Sequence, residues 1–375
     1  MTDTESRAPR RLILHCGPSK TGTSAIQDQL RNLSQPGLIY PQTGQWPDGA
    51  HHLLAWAQAG RSRRGPVDIP PFADQLQALA RELGAWSGDL LISSEAILAG
   101  QAAGFADALR AGLPGGFDRV ELIVTLRHPL ERAASAYNQS VKDPVEGETR
   151  DPDDYLAKAG GHVLLSPLVR QWSALGLPVH FLGYHPSATL VQRFFDLIGH
   201  PAPAMETQTR NASMNGYGLL IYLLANRLKL DGPERDRLRE AIRADRARRP
   251  WQGESFPFSA AAVAAYRERV EQDRAQLVRD TGLDMDWGGR DKARFRITAD
   301  DARAILDHLA SAAPDKVDRD ALAPMLADFI ETPDQPANAV APRRKGPGKG
   351  NGMGNGPEQR PGQGKRPGRA RATQG

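Results

Sequence analysis

A short segment near the N-terminus has the residue types of an anion-binding loop. It is Gly17-Pro-Ser-Lys-Thr-Gly-Thr-Ser24, and it lies between an apolar run and a helical pattern. In a turn from a strand into a helix, backbone N–H groups point at a common centre, and the helix N-terminus adds a partial positive charge. Lys20 supplies a full charge. Hydroxyl donors come from Thr21, Thr23 and Ser24. The segment therefore predicts a phosphate-binding loop.

The order of residues in this loop differs from that of nucleoside-triphosphate loops. In those loops a Lys directly follows the second Gly, and the next Ser or Thr holds magnesium. Here Thr23 follows Gly22, and Lys20 comes two residues before that glycine. Neither of the next two predicted strands ends in the Asp expected to support a metal. The alternative is an ordinary glycine-containing turn whose Lys20 is simply solvated.

A second candidate anion site follows another predicted strand. Arg127 lies at the carboxyl end of that strand, where open α/β sheets bind ligands. Ser135 comes eight residues later, about two turns into the helix that follows. An Arg fork combined with a hydroxyl suits a phosphate monoester. The alternative is that Arg127 pairs with a carboxylate at the surface.

Two anion sites at adjacent strand ends suit a ligand with phosphates at both ends of a nucleoside. With these residues the chain resembles the sulfotransferases that use 3′-phosphoadenosine 5′-phosphosulfate (PAPS), particularly their bacterial members. The segment Ser19-Lys20-Thr21-Gly22-Thr23-Ser24 resembles the family's loop for the 5′-phosphosulfate, and Arg127 with Ser135 resembles its 3′-phosphate site. The resemblance covers 11–33, 90–98 and 120–142. It is weaker at 179–199 and at Asn211-Ala-Ser213, which is similar to a family loop that closes over the nucleotide.

The resemblance implies an enzyme that moves the sulfuryl group of PAPS to a hydroxyl or amine acceptor and releases PAP. The acceptor would be a carbohydrate, a lipid or a small molecule. No metal is expected, because Lys20 would neutralise the charge that develops on the leaving phosphate.

The resemblance also implies a general base. Glu95 ends the strand whose family equivalent presents that base, so it is the preferred candidate. His51 and His52 are rivals, since relatives carry a His in this region and a neutral imidazole accepts protons at pH 7. Alternatively, Glu95 caps the next helix or pairs with an Arg.

Two other functions stay open from the residues alone. A P-loop kinase-like phosphotransferase is disfavoured by the position of Lys20 and by the missing acidic metal ligand. A catalytically inactive protein that binds PAP or another nucleotide would show binding without turnover. The identity of the acceptor and the oligomeric state do not follow from the sequence.

The elements around these residues alternate between strands and helices. Predicted strands lie at 11–16, 89–93, 120–126 and 178–183, and predicted helices at 23–33, 72–86, 105–113, 130–141 and 190–198. This order predicts a P-loop-like α/β fold with three layers (α/β/α) and a mostly parallel sheet. The region 215–332 is predicted to be mainly helical.

Composition divides the 375-residue chain into a folded part and two polar ends. We expect a sulfotransferase domain over 11–332, a disordered segment over 1–10 and a disordered tail rich in Gly, Pro, Lys and Arg over 333–375. Residues 340–375 carry nine basic side chains against Glu358, so their net charge is +8 and that of the remainder is −4. The tail could contact nucleic acid weakly, but no motif predicts specific binding.

The sequence contains few features that indicate where the protein is located. The apolar run 12–14 is too short for a signal peptide, and no apolar stretch approaches the ~18 residues of a membrane span. Cys16 is the single cysteine, which excludes an internal disulfide and is consistent with a reducing compartment. We therefore expect a cytoplasmic protein.

Overall fold

The computed structural model describes residues 10–31, 33, 35–159, 164–184, 187–203, 214–245, 255–282, 284 and 292–331. By its contacts the chain divides into Met1–Ala337 and Asn338–Gly375. The second unit lies outside the described residues, as do Asn211 and Ser213. The predicted disorder of the two chain ends therefore stays a prediction.

The strands of the described chain form a parallel sheet and a small hairpin. They are β1 (Arg11–Cys16), β2 (Leu38–Ile39), β3 (Arg63–Arg64), β4 (Val67–Asp68), β5 (Asp89–Ser93), β6 (Arg119–Leu126) and β7 (Val179–Gly183). The sheet has the order β2-β5-β1-β6-β7, and every neighbouring pair is parallel. Strands β3 and β4 pair in antiparallel fashion.

The helices of the described chain cover both faces of the sheet and most of the C-terminal region. They are α1 (Thr23–Leu30), α2 (His52–Gln58), α3 (Phe72–Leu83), α4 (Ala99–Gly112), α5 (Pro129–Lys142), α6 (Pro152–Ala159), α7 (Leu165–Ser173), α8 (Ser187–Ile198), α9 (Gly216–Arg227), α10 (Gly232–Asp245), α11 (Ala260–Thr281), α12 (Ala299–Ala312) and α13 (Arg319–Ala327).

The three layers follow from the alternation of side chains along each strand. In β1, Leu12 and Leu14 face one side, where they join a core with residues of α3, α4 and α7. Ile13 faces the other side and packs in a separate core with residues of α1 and α8. A parallel sheet that is covered on both faces has continuous apolar strands, which is why β1 is apolar throughout its centre. The predicted α/β/α fold with a parallel sheet is confirmed.

The C-terminal helices form their own core against α5. Tyr137 and Val141 of α5 pack with residues of α9, α10, α12 and α13. The predicted helical region is thus confirmed in its described part. Its helices pack against one side of α5. No helix within the described ranges is long and apolar enough to cross a membrane.

Some elements differ from the sequence prediction. Helix α4 begins at Ala99, six residues before the predicted start, because Gly100 and Gly104 weaken the helical signal there without preventing the helix. Short elements such as α2 and β2 were not predicted. Arg10 was assigned to the disordered N-terminus, yet it is 2% exposed. Its guanidinium donates to the Pro114 carbonyl at 2.6 Å.

Candidate active site

The candidate site lies at the carboxyl edge of the sheet, around the end of β1. The chain leaves β1 toward β2 on one side, and later places β6 on the other side. Such a switch in strand order opens a crevice where open α/β sheets bind ligands. The pairings His15 with Ser93 and Cys16 with Val124 bring the ends of β5, β1 and β6 to the same edge. The loops after these strands carry Glu95, Lys20 and Arg127.

The backbone of the loop after β1 has three residues in the left-handed region. They are Gly17 with φ 124°, Lys20 with φ 67° and Gly22 with φ 91°. A non-glycine residue such as Lys20 adopts this conformation at a cost, which is characteristic of functional loops. Gly22 precedes α1, whose first turn contains no acidic residue and no side-chain cap. The positive end of α1 is therefore not neutralised by its own side chains, as an anion site requires.

The close packing around Gly22 leaves no room for a side chain. A Cβ atom at Gly22 would lie 2.6 Å from ring carbons of Tyr184 and 2.7 Å from a methyl of Leu190. Gly22→Ala should therefore lower the free energy of unfolding by about 1–3 kcal/mol more than Gly60→Ala does. Gly60 is the matched control, because it has φ +77° and nothing within 4 Å of an added Cβ. Urea unfolding of both variants measures the difference, and equal losses would contradict the packing argument.

The loop hydroxyls separate into two groups. Thr21 is fully buried. Its Oγ1 donates to the Pro18 carbonyl at 2.8 Å and lies 2.7 Å from Thr125 Oγ1 of β6. The side chain of Thr21 thus fixes the loop to the sheet, and its role toward a ligand stays a prediction. Thr23 is also buried, whereas Ser19 and Ser24 are exposed.

Lys20 lies between the other charged groups of the site. Its Nζ donates to Gln139 Oε1 of α5 at 3.2 Å. Burial lowers the pKa of Lys20, Glu95 and Glu146 oppose that shift, and the charge of Arg127 adds to it. The ammonium is therefore a partly desolvated cation with carboxylates close enough to act on it.

Arg127 links the second predicted anion site to the first. Its Nη1 donates to the Lys20 carbonyl at 3.2 Å, and its guanidinium lies 4.7 Å from the Tyr184 ring centre. Its Nε donates to Glu131 at 3.3 Å, so the carboxylate pairing considered as an alternative does exist. Glu131 also pairs with Lys292 at 2.9 Å. Among the described residues, none accepts from Nη2 of Arg127, so that group could still donate to a phosphate.

Ser135 lies on α5, two turns beyond Arg127, and is half-buried. Arg132, on the same helix, donates from Nε to the Ser19 carbonyl at 3.3 Å. Helix α5 thus contacts the loop through both Arg132 and Gln139. The two predicted anion sites are parts of one connected surface.

Glu95 is held by a residue that the sequence did not single out. Nε2 of Gln27, on α1, donates to Glu95 Oε2 at 3.3 Å and to Ser93 Oγ at 3.1 Å. Ser93 Oγ in turn lies 2.8 Å from Nδ1 of the buried His15. Gln27 is 2% exposed. A polar residue on the buried face of α1, next to Ile26, is the sequence signal that could have identified it.

His51 does not join the site, which corrects its prediction as a base. Its ring is fully buried, and burial lowers its pKa to about 4. Nε2–H donates to the Pro41 carbonyl at 2.8 Å, and Nδ1 accepts from the Ser93 N–H at 3.2 Å. With both nitrogens occupied, no lone pair is left for an acceptor proton.

His52 contacts the residue that precedes Glu95 in the chain. Its Nδ1 lies 2.7 Å from Oγ of Ser94, the residue before Glu95, and its ring stacks on Trp56 at 5.1 Å. Its Nε2 lies 3.6 Å from Asp48. Burial would raise the pKa of Asp48, but the nearby His52 ring and the hydrogen bond from the Ala50 N–H outweigh it and hold that pKa low. His52 stays a candidate beside Glu95.

The fold and these contacts define an α/β protein whose candidate site, at the carboxyl edge of the sheet, contains Lys20, Glu95 and Arg127. No protein-family model and no curated protein matches the chain. Among solved structures, a sulfotransferase from Alicyclobacillus acidocaldarius is similar over 74% of this chain and 97% of its own, with 15% identity and a TM-score of 0.42. Similarity at this level does not transfer a function.

Proposed function

We propose that this protein is a sulfotransferase that moves the sulfuryl group of PAPS to a hydroxyl or amine acceptor. The observation that carries the proposal is that charged residues from three neighbouring strand ends act on one another. Arg127 donates to the Lys20 carbonyl, and the charges of Glu95 and Arg127 both act on the Lys20 ammonium. A base, a cation for a leaving group and a guanidinium for a second phosphate thus lie together. The resemblance of the motifs supports the assignment to PAPS.

The residues of the site fit the two charged ends of this co-substrate. The 5′-phosphosulfate would bind the loop 17–24, where Lys20 and the uncapped N-terminus of α1 supply positive charge. The 3′-phosphate would bind Nη2 of Arg127 and the Ser135 hydroxyl. Arg127 would then interact with both that phosphate and the Glu131 carboxylate. Lys292, which pairs with Glu131, would offset the negative charge of Glu131.

In the proposed reaction, Glu95 removes the proton from the acceptor hydroxyl or amine. The acceptor atom then forms a bond to sulfur, and the bond from sulfur to the 5′-phosphate oxygen breaks. The electron pair of that bond stays on the phosphate, where Lys20 and the N–H groups of the loop stabilise it. Positioning both reactants in one crevice supplies much of the remaining acceleration. The products are PAP and the sulfated acceptor.

Calorimetry with PAP and with ATP, each with and without magnesium, tests the proposal. We expect PAP to bind without magnesium and more tightly than ATP. Tight magnesium-dependent binding of ATP alone would instead support a kinase-like phosphotransferase. Binding of PAP without sulfation of any acceptor in a broad panel of carbohydrates, lipids and small alcohols would support a nucleotide-binding protein without catalysis.

Arg127 should distinguish ligands by their 3′-phosphate. Arg127→Ala should weaken PAP about 10- to 100-fold, the effect of losing a charged hydrogen bond, and should weaken adenosine 5′-phosphate much less. Some loss is expected for both ligands, because Arg127 also supports the Lys20 carbonyl. Arg170→Ala is the control, since Arg170 pairs with Asp280 at 2.9 Å on α7 and α11. Equal losses for the two nucleotides in titration calorimetry would refute the 3′-phosphate assignment.

A further inference from the structure

Helix α5 ends in a lysine that the site described above does not use. Lys142 is half-buried and is the last residue of the helix, three residues after Gln139. Residues at this spacing are neighbours on one helix face. Because Gln139 Oε1 accepts from Lys20 Nζ at 3.2 Å, this face of α5 is the one toward the loop. Lys142 therefore lies on the face of α5 that is turned toward the loop.

The electrostatics of Lys142 agree with this placement. Burial lowers the pKa of Lys142, and the charge of Lys20 lowers it further. In the described part of the chain, no carboxylate offsets these two effects on Lys142. Two partly desolvated ammonium groups repel each other, and an anion between them would relieve that repulsion. The space beside Lys20 and Lys142 is thus suited to a negatively charged group.

The direction of α5 indicates which group that is. The helix runs from Arg127 and Ser135, at the proposed 3′-phosphate site, toward Lys142, at a rise that places Lys142 about 10 Å beyond Ser135. Gln139, at the level of Lys20 and the 5′-phosphate, lies between them. The next group of PAPS beyond the 5′-phosphate is the sulfuryl group.

We propose that Lys142 binds the sulfuryl oxygens of PAPS and thereby distinguishes PAPS from PAP; this inference rests on the proposed function. Lys142 takes no proton and forms no covalent bond. During transfer the acceptor atom bonds to sulfur, the sulfur–oxygen bond to the 5′-phosphate breaks, and the sulfuryl group leaves with the acceptor. PAP then has no group that faces Lys142, so the product is held less tightly than the co-substrate.

The test compares PAPS and PAP binding to Lys142→Met in the full-length protein without an acceptor. Lys142→Met should weaken PAPS about 10- to 100-fold while PAP affinity changes less than about twofold. Lys158→Met is the matched control, because Lys158 is an exposed lysine of α6. It should leave both affinities unchanged. Displacement of a fluorescent PAP derivative measures both ligands on a time scale short enough to avoid PAPS hydrolysis.

Two further variants keep the test decisive. Lys142→Arg retains the charge and should keep the preference for PAPS, and Lys142→Gln repeats the experiment if the Met variant is unstable. Equal losses for PAPS and PAP, or no loss for either, would overturn the role of Lys142. If the unaltered protein binds neither nucleotide, the proposed function itself fails and this inference with it, which is a different result from an unchanged preference.

Discussion

Replacing Glu95 with Gln should lower kcat by about 10²–10⁴-fold, the usual contribution of a general base. The substitution keeps the shape of the side chain. It also keeps an oxygen that can accept from Gln27 Nε2, which lies 3.3 Å from Glu95 Oε2. What is lost is the ability to take a proton from the acceptor. PAP affinity should therefore stay near normal while turnover falls.

Comparison with His52 makes this prediction more specific. Until the acceptor is known, hydrolysis of PAPS to PAP is the surrogate reaction. If Glu95→Gln keeps its activity and His52→Ala loses it, the base is His52, which reaches the same strand end through Ser94.

Lys20→Met should lower kcat by about 10²–10³-fold, by analogy with the loss of one oxyanion donor. The Lys20 charge matters most when the bond to sulfur breaks and negative charge grows on the leaving phosphate. PAP affinity should fall less than the rate does, because the backbone N–H groups of the loop stay in place. Single-turnover release of PAP, together with PAP titration, separates the two effects.

A second lysine provides the control for this substitution. Lys229 is the other non-glycine residue with positive φ in the described chain, at 52°, and it is exposed. Lys229→Met therefore reproduces the change of residue type at a left-handed position and should leave turnover unchanged. Near-normal turnover in Lys20→Met would remove Lys20 from the mechanism.

Lys20 also has a pH signature. Burial lowers its pKa, and that of Lys142 is lowered as well. A protonated lysine is the active form, so kcat/KM should decline toward high pH, and the decline should begin below the range of an ordinary lysine. In Lys20→Met, the contribution of Lys20 to this decline of kcat/KM at high pH should disappear. A limb that is the same in both proteins would assign the titration to another group.

The sequence by itself determined the order of the elements and the loops that carry the site. Apolar runs such as 11–16 and helical spacing such as that of 23–30 are local properties, because a buried strand or helix face needs apolar side chains at fixed intervals. In a parallel sheet, loops at carboxyl strand ends share one edge. For that reason Lys20, Glu95 and Arg127 could be assigned to one region before any contact was known.

Only the tertiary structure decided what each of these side chains contacts. His51 and His52 are adjacent in sequence, yet the first is fully buried with both nitrogens bonded and the second lies beside Ser94. The Thr21 hydroxyl lies against Thr125 of β6. These outcomes depend on the few ångströms between elements far apart in the chain, and a motif contains no information about such distances.

The same reason explains the residues that the motifs did not reveal. Gln27 contacts Glu95 because α1 packs next to the end of β5, and the role proposed for Lys142 depends on α5 passing beside the loop. Burial and neighbouring charge determine whether a polar group is a solvated surface residue or part of a site. Both are properties of the packed chain, since desolvation and Coulomb energies depend on three-dimensional surroundings and not on residue type.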